Sequence, residues 1–255
     1  MAIAESESHR LIEVKGLSRR YGEGEAAVDA LKNVTLSIGR GEMVALMGPS
    51  GSGKSTLMNV LGLFDRASSG SYTLAEQDMT ALSARQSAML RGHRIAFVFQ
   101  SIHLLPRLTA IANVELPMAY ARMSANQRHH DAMHALELLG VSHLSHRYPS
   151  QISGGQAQRV AIARAIAPGP DLLLADEPTG ALDRKSGQLV LQAFQDLHQR
   201  IGVTIVIVTH DPVVAQHAER IISLEDGQII DDRQVETRLM IDLNTTTDSL
   251  RGGQE

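Results

Sequence analysis

Apolar and polar residues alternate in short blocks along the first hundred positions, and the apolar blocks have the length of β-strands. Each block is four or five residues long, and glycine, serine or charged residues separate it from the next. The predicted strands span 11–14, 34–38, 43–47, 71–74 and 95–99, with a polar helix at 84–91 before the last of them. The start of the chain therefore predicts a small sheet that leads into a larger core.

The segment from about 104 to 144 has no strand pattern, and it predicts mostly helical structure. Ser124 and Gln127 have capping-box spacing at the start of one predicted helix. Gly140 follows the last apolar position of that helix, where a helix commonly ends. The segment therefore predicts a helical subdomain.

Strand and helix alternate from residue 154 onward, which is the pattern of a parallel sheet with helices packed against it. The predicted elements are a helix at 154–167, a strand at 172–175, a helix at 186–200, a strand at 203–208 and a helix after Pro212. Both strands are nearly continuous apolar runs, as expected for central strands buried on both faces. The tail from Asp231 is polar and predicts a short helix or strand with a loose end.

Length and composition favour one α/β domain. The chain has 255 residues, of which 43% are hydrophobic and 20% are charged, and these values are ordinary for a globular protein. We expect a single domain over 1–255, with its core at 11–100 and 154–230. A helical subdomain at 101–153 and a tail at 231–255 complete this predicted organisation.

Charge and cysteine content narrow the classes of function. A formal net charge of −4 argues against nucleic acid as a partner, and the absence of cysteine excludes disulfides, thiol catalysis and cysteine-ligated metal centres. Residues 1–10 lack the basic and apolar pattern of a secretory signal, and no apolar run approaches the roughly 18 residues of a membrane-spanning helix. We therefore expect that any role at a membrane requires another chain to cross it.

A glycine-rich segment directly after the apolar run 43–47 matches the phosphate-binding loop of nucleoside-triphosphate enzymes. Its residues are Gly48, Pro49, Ser50, Gly51, Ser52, Gly53, Lys54, Ser55 and Thr56. The glycines let successive backbone N–H groups point at phosphate oxygens, while Lys54 reaches the β- and γ-phosphates and Ser55 offers its hydroxyl to Mg²⁺. A glycine-rich turn beside an incidental lysine is the alternative. Residues 54–63 argue against it, because they predict the helix that a phosphate-binding loop should open.

Two adjacent carboxylates, Asp176 and Glu177, follow the predicted strand 172–175, at the edge where open parallel sheets place their ligands. Because the chain turns there, Asp176 can face Mg²⁺ while Glu177 polarises the attacking water. Acidic residues that cap a turn before Pro178 are the ordinary alternative. Together with the phosphate loop, the pair predicts hydrolysis of a nucleoside triphosphate such as ATP.

A third segment consists of Ser153, Gly154, Gly155 and Gln156, followed by Gln158, Arg159 and an apolar helical pattern. It resembles the signature of the ATP-binding cassette (ABC) ATPases. Alone, such a turn is a common helix start, although helix N-termini attract anions. The resemblance extends over nearly the whole chain in the family's order. It implies a P-loop NTPase core with a parallel sheet, an N-terminal antiparallel β subdomain and a helical subdomain.

The resemblance implies roles for four further residues. Tyr21 would stack on adenine, and Gln100 in the Q-loop would meet Mg²⁺ or the water. His210 would donate a hydrogen bond to the γ-phosphate, and Asp183 in the D-loop would lie in a dimer interface. Taken singly, the four residues have ordinary explanations, which are surface packing, a polar strand end, a solvated histidine and a helix cap. Their common order favours the family roles.

The family also implies partners. Two copies would form a head-to-tail dimer in which the phosphate loop of one copy and the 153–156 turn of the other enclose each ATP. Segments 57–62 and 113–117 resemble the branch of macrolide exporters and lipoprotein-release systems, whereas Ile152 and Ala96 depart from the family pattern.

This branch implies a transmembrane permease, and because the chain ends at Glu255 we expect the permease to be a separate polypeptide. The branch also implies a periplasmic adaptor, and it implies that this chain lies peripherally on the cytoplasmic face of the inner membrane. Two alternatives remain within the family: an ATPase that signals through a membrane partner, as in cell-division complexes, and a soluble ATPase of translation or DNA repair. A nucleotide kinase would not need the 153–156 turn.

Overall fold

The computed structural model describes residues 10–241, which form ten β-strands and seven α-helices. The strands are β1 (Arg10–Tyr21), β2 (Val28–Gly39), β3 (Met43–Met47), β4 (Ser69–Leu74), β5 (Gln77–Asp78), β6 (Ile95–Val98), β7 (Leu172–Asp176), β8 (Thr204–Val208), β9 (Arg220–Glu225) and β10 (Gln228–Gln234). The helices are α1 (Lys54–Leu61), α2 (Ala84–His93), α3 (Ala110–Tyr120), α4 (Ala125–Leu138), α5 (Gly154–Ile166), α6 (Arg184–Ile201) and α7 (Pro212–Ala215).

The first sheet is antiparallel and has the strand order β2-β1-β4-β5. β1 and β2 are each far longer than the apolar run that predicted them. The reason is a series of register shifts between the two strands, at Val14/Leu17 and at Leu17/Arg19 among others. Bulges of this kind break the alternation of polar and apolar residues, so the second half of β1 carries no clean strand pattern.

The second sheet has the order β10-β9-β3-β8-β7-β6, and its strands from β9 to β6 run parallel. The predicted parallel sheet is thus confirmed, including the buried strands β7 and β8. β9 was not predicted. Of the two alternatives expected from Asp231, a short helix or a short strand, the structure has the strand β10, which begins at Gln228 and ends at Gln234. A hairpin signal was present: Asp226 and Gly227 form a two-residue turn with φ of +47° and +80°, as a type I′ turn requires. The expected loose end lies outside the described residues.

Alternate residues of the parallel sheet enter two different cores. On β3, Met43 and Ala45 pack with helices α3 to α7, whereas Val44 and Leu46 pack with α1 and the antiparallel sheet. Helix α1 is therefore enclosed between the two sheets, and Leu57 within it is completely buried. Burial on both sides fixes the start of α1, and with it the loop that enters the helix.

The predicted helical segment contains α3 and α4, but residues 104–109 are not helical. The predicted capping box is only half formed: Ser124 accepts from the Gln127 backbone N–H, while the Gln127 side chain donates to Asp131 instead. The capping box would use the Gln127 amide oxygen as an acceptor from the Ser124 N–H, whereas here the amide nitrogen donates to both oxygens of the Asp131 carboxylate, a charge-assisted contact. The helix after Pro212 is one turn long. Among residues 10–241, none of the helices combines the length and apolar character that spanning a membrane requires.

Candidate functional site

The phosphate loop joins β3 to α1, and two of its glycines have positions that no other residue fits. A Cβ on Gly48 would lie 2.1 Å from the Leu224 carbonyl oxygen, and one on Gly53 would lie 2.6 Å from the Ala30 carbonyl oxygen. Both glycines have positive φ. No side chain caps α1, and its first turn carries no acidic residue. The N–H groups of this helix start are therefore available to an anion.

Lys54 lies inside the loop, with 9% of its surface exposed. Its Nζ atom donates to the carbonyl oxygens of Gly48 at 2.7 Å and Pro49 at 2.8 Å. The ammonium group is thus held at the point toward which these two carbonyl oxygens of the loop are directed. A phosphate group that enters the loop meets a positive charge already held there.

A cleft of about 340 Å³ opens beside the loop. Its lining comes from the loop and α1, from β2 and from the β9–β10 turn; it comprises Val28, Asp29, Ala30, Lys32, Gly51, Gly53, Lys54, Ser55, Thr56, Asp226 and Gly227. The turn is hydrogen-bonded to its surroundings, because Gly227 N–H donates to Ser52 and Lys32 N–H donates to Gly227. This side of the cleft was not predicted from the sequence, because β9 was not predicted.

Asp176 and Glu177 stand where β7 ends, as predicted. Burial raises the pKa of the Asp176 carboxyl, the neighbouring Glu177 carboxylate raises it further, and the Lys54 ammonium opposes both effects. Glu177 has a φ of +43°, so the chain turns sharply at this residue. The two carboxylates repel each other next to the phosphate loop, and a bound divalent cation would offset this repulsion.

The Glu177 side chain makes three contacts with the loop after β8. Its Oε1 atom accepts from the backbone N–H of His210 at 2.9 Å and lies 2.6 Å from His210 Nδ1, and its Oε2 atom accepts from the Thr209 hydroxyl at 3.2 Å. Thr209 is buried, whereas 74% of the His210 side chain is exposed. The carboxylate is held in one orientation, and the exposed imidazole lies beside it. Thr209 was not among the predicted site residues.

Gln100 is exposed and reaches the turn after Glu177. A Cβ on Gly180 would lie 2.9 Å from Gln100 Nε2, so the amide packs directly on that glycine. Leu182 and Asp183 follow Gly180 by two and three residues, and Asp183 is the N-cap of α6. Asp183 caps α6 by accepting from the Ser186 N–H at 3.0 Å, and hydrogen bonds from Ser186 lower the pKa of this carboxyl.

The turn formed by Ser153, Gly154, Gly155 and Gln156 opens α5 with a complete capping box. Ser153 Oγ accepts from Gln156 N–H, and Gln156 Oε1 accepts from Ser153 N–H. A Cβ on Gly155 would lie 2.7 Å from Ser186 Cβ, which places this turn against the start of α6. None of the four residues lines the cleft beside the phosphate loop. The turn thus lies with Asp183 and apart from the loop of its own chain.

Tyr21 lies at the end of β1, opposite Val28, which lines the cleft. Its hydroxyl donates to Asp65 Oδ2 at 2.5 Å, and the Arg19 guanidinium lies 4.3 Å from the ring centroid. Arg19 also forms an ion pair with Asp65. These contacts hold the ring in place while 39% of the residue remains exposed.

The described residues fit a hydrated Mg²⁺ better than a caged metal. Within residues 10–241, no group of three or more His, Asp or Glu side chains is placed to hold an ion. Mg²⁺ beside a nucleotide needs only one or two protein ligands, since phosphates and water supply the rest. Ser55 on the first turn of α1 and the half-buried Asp176 are donors of the required kind.

The fold and this site define a P-loop ATPase. The family model described as "ABC transporter" matches residues 31–180, and the chain belongs to this family. It is 52% identical over 225 residues to the macrolide export ATP-binding/permease protein MacB 2 of Aeromonas hydrophila, and 50% identical over 220 residues to MacB of Shigella flexneri. These matches cover 88% and 86% of the chain but only 35% and 34% of the relatives. The chain therefore spans about a third of the length of the curated relatives it matches.

Solved structures agree with this assignment. The dimeric bacterial ABC transporter cassette MJ0796 is 42% identical, has a TM-score of 0.79 and is matched over 88% of this chain and 99% of its own. A post-hydrolysis dimer of the same cassette contains ADP and Pi. CbiO1 from Clostridium perfringens, part of the ABC transporter complex cbiONQ, is 25% identical, with a TM-score of 0.82 and coverage of 94% and 92%. The predicted ABC-ATPase fold and the ATPase class are confirmed.

Proposed function

We propose that two copies of the chain hydrolyse MgATP as a head-to-tail dimer and thereby drive a membrane permease. The observation that carries the proposal is the position of the 153–156 turn, which lies against the start of α6 and does not line the cleft of its own chain. A second copy in the reverse orientation would bring its turn to that cleft. The dimeric cassette structures that the chain resembles support this arrangement.

Within this dimer, the phosphate loop and Lys54 bind the β- and γ-phosphates. Ser55, Asp176 and Gln100 would hold Mg²⁺, which neutralises phosphate charge when bound. Glu177 orients and polarises the attacking water, because its carboxylate stands at the strand edge beside the loop and is held by Thr209. ATP hydrolysis removes the γ-phosphate contacts, so the two copies separate.

His210 contributes through its contact with Glu177. His210 Nδ1 lies 2.6 Å from Glu177 Oε1, so a hydrogen bond holds the imidazole next to the carboxylate. Donation from His210 to a γ-phosphate stabilises the negative charge that develops there. We propose that His210 turns from Glu177 toward the phosphate when ATP is bound, which frees one carboxylate oxygen for the water.

The permease-facing surface is proposed to include Gln100 and residues 101–120, within a helical subdomain at 101–153. Leu105 and Tyr120 are exposed apolar residues in this segment. The names of the curated relatives favour macrolide export. Lipoprotein release is the other activity of the branch that the sequence resembles. The chain would lie on the cytoplasmic face of the inner membrane, with a periplasmic adaptor on the far side.

Affinity capture from the native membrane in detergent tests the transport proposal. Mass spectrometry of the captured complex is expected to find a four-helix permease with a large extracytoplasmic domain, and ATPase activity in the same sample is expected to respond to that permease. The Lys54→Ala chain, captured in parallel, should bring down the permease without ATPase activity. Ribosomes, repair proteins or a permease domain without any substrate pathway would contradict the transport proposal.

Truncation of Tyr21 is expected to weaken ATP binding by removing the contact with the adenine base, while the contacts with the phosphates remain. Stacking on an aromatic ring contributes about 1–3 kcal/mol per base, so Tyr21→Ala should raise the KM for ATP at least about fivefold with little change in kcat. Inhibition by base-free tripolyphosphate should not change, and Tyr148→Ala, at a second exposed tyrosine, should resemble the wild type. Equal loss of affinity for ATP and tripolyphosphate would show that Tyr21 does not contact the base.

A further inference from the structure

Gln158 is a buried glutamine that contacts two loops of the active site at once. It lies on α5, two residues after the end of the 153–156 turn, and 1% of its surface is exposed. Its Nε2 atom donates to the carbonyl oxygen of Phe99 at 3.2 Å and to that of Pro178 at 3.1 Å. Phe99 immediately precedes Gln100, and Pro178 immediately follows Glu177. One amide group therefore holds the backbone beside both residues.

The carbonyl groups of Phe99 and Pro178 lie just beyond the paired parts of β6 and β7, which explains why a side chain donates hydrogen bonds to them. β6 and β7 are paired in parallel as far as Val98 and Ala175. The β6–β7 ladder ends at that pair, although β7 stays paired with β8 as far as Asp176 and Val208. The β6–β7 ladder therefore supplies no donor to the carbonyl groups of Phe99 and Pro178. Beyond the end of the ladder, the Gln158 amide joins the loop after β6 to the loop after β7 by its two hydrogen bonds.

The acceptor side of the same amide has no partner. Gln158 Oε1 is buried and accepts no hydrogen bond from any group in residues 10–241. An unpaired buried oxygen is unfavourable, so packing alone would favour an apolar side chain of this length. The advantage of glutamine over an apolar side chain at this position is therefore its N–H donor group, which binds the two carbonyl oxygens.

We propose that Gln158 is a positioning residue that transmits movement of the 153–156 turn to Gln100 and Glu177 of the same subunit. The inference rests on the proposed head-to-tail dimer, in which that turn meets the partner's ATP. Because the turn is the start of α5, its displacement moves Gln158 and draws both carbonyl groups with it. ATP at one site of the dimer thereby affects the geometry of the other site.

Glu177 is sensitive to such a movement because of its backbone. Its φ of +43° is unfavourable for a residue with a side chain, and such conformations persist only where the surroundings hold them. The contacts that hold this segment include Glu177 N–H to Val208, Gly180 N–H to Glu177, and the Gln158 amide to Pro178. Of these three contacts, the one from Gln158 is made by a side chain that lies on the helix of the 153–156 turn.

Gln158→Met is the first test, because methionine keeps the length of the side chain and removes its donor. We expect a kcat about tenfold lower than that of the wild type, an unchanged KM for ATP, and a Hill coefficient for ATP that falls toward one. Gln195→Met is the matched control: Gln195 is also buried and donates to Leu239 away from the site, so this variant should keep the wild-type kcat. A folded Gln158→Met with wild-type kcat and Hill coefficient would overturn the proposal.

Gln158→Glu provides a second test that remains available if Gln158→Met does not fold. A protonated carboxyl still donates one hydrogen bond to a carbonyl group, whereas the ionised form donates none and repels both oxygens. Burial raises the pKa of a glutamate at such a site, so the donor is present at about pH 6 and lost at about pH 8.5. The kcat of the variant relative to the wild type at the same pH should fall severalfold over this range, and a constant ratio would overturn the proposal.

Glu177→Gln, measured in parallel, separates the two proposals. If Glu177→Gln is inactive while the Gln158 variants behave as the wild type, only the role of Gln158 is refuted. If Glu177→Gln hydrolyses ATP normally, the proposed role of Glu177 in activating the water fails, whatever the Gln158 variants show.

Discussion

Glu177→Gln is expected to lower kcat for ATP hydrolysis by about 10²–10⁴-fold, the usual contribution of a positioned general base. Glutamine keeps the size of the side chain and its contact with Thr209, but the amide does not attract the proton of a water as the carboxylate does. ATP binding should persist, because the phosphate loop, Lys54 and Ser55 are unchanged. Single-turnover hydrolysis and equilibrium binding of a fluorescent ATP analogue measure the two properties separately.

The matched control for Glu177 is Glu137→Gln on α4, which makes the same chemical change at an exposed position. It should retain the wild-type kcat, so a loss seen only in Glu177→Gln reflects the site and not the charge of the protein. Hydrolysis by Glu177→Gln at the wild-type rate would show that another group activates the water.

Lys54→Ala is expected to weaken ATP binding by about tenfold to a hundredfold, since hydrogen bonds to charged groups contribute about 1.5–3 kcal/mol each. The ammonium now binds two carbonyl groups of the loop, and a bound phosphate would exchange those contacts for stronger ones. Without Lys54 the loop loses both its positive charge and the donor that shapes it. Isothermal titration with ATP and Mg²⁺ measures the change.

Lys15→Ala removes an exposed lysine from β1 and is the control for this loss of charge. Its ATP affinity should equal that of the wild type. Undiminished affinity in Lys54→Ala, with the protein folded, would place the phosphates elsewhere and would contradict the site described above.

The phosphate loop and the carboxylate pair were predictable because their chemistry is encoded by neighbouring residues. Gly48, Gly53 and Lys54 form one short segment, and Asp176 with Glu177 follows an apolar run that only a central strand explains. The parallel sheet was predictable for the same reason, since its strands are continuous apolar runs.

The missing parts of the prediction depend on contacts between distant residues. The β9–β10 turn reaches the phosphate loop through Gly227, and no local pattern indicates that approach, although Asp226-Gly227 marks a hairpin. The ring of Tyr21 is held by Asp65, which is 44 residues away along the chain. The link from Gln158 to Phe99 spans 59 residues. Such contacts follow from the packing of α5 and of the sheets, which the sequence pattern does not specify.

Sedimentation equilibrium of Glu177→Gln, with MgATP and with MgADP, shows whether ATP joins two copies of the chain. With MgATP we expect a mass about twice the 27.6 kDa of one chain, and with MgADP we expect the mass of one chain. A variant that binds MgATP tightly yet sediments as a single chain would contradict the head-to-tail dimer.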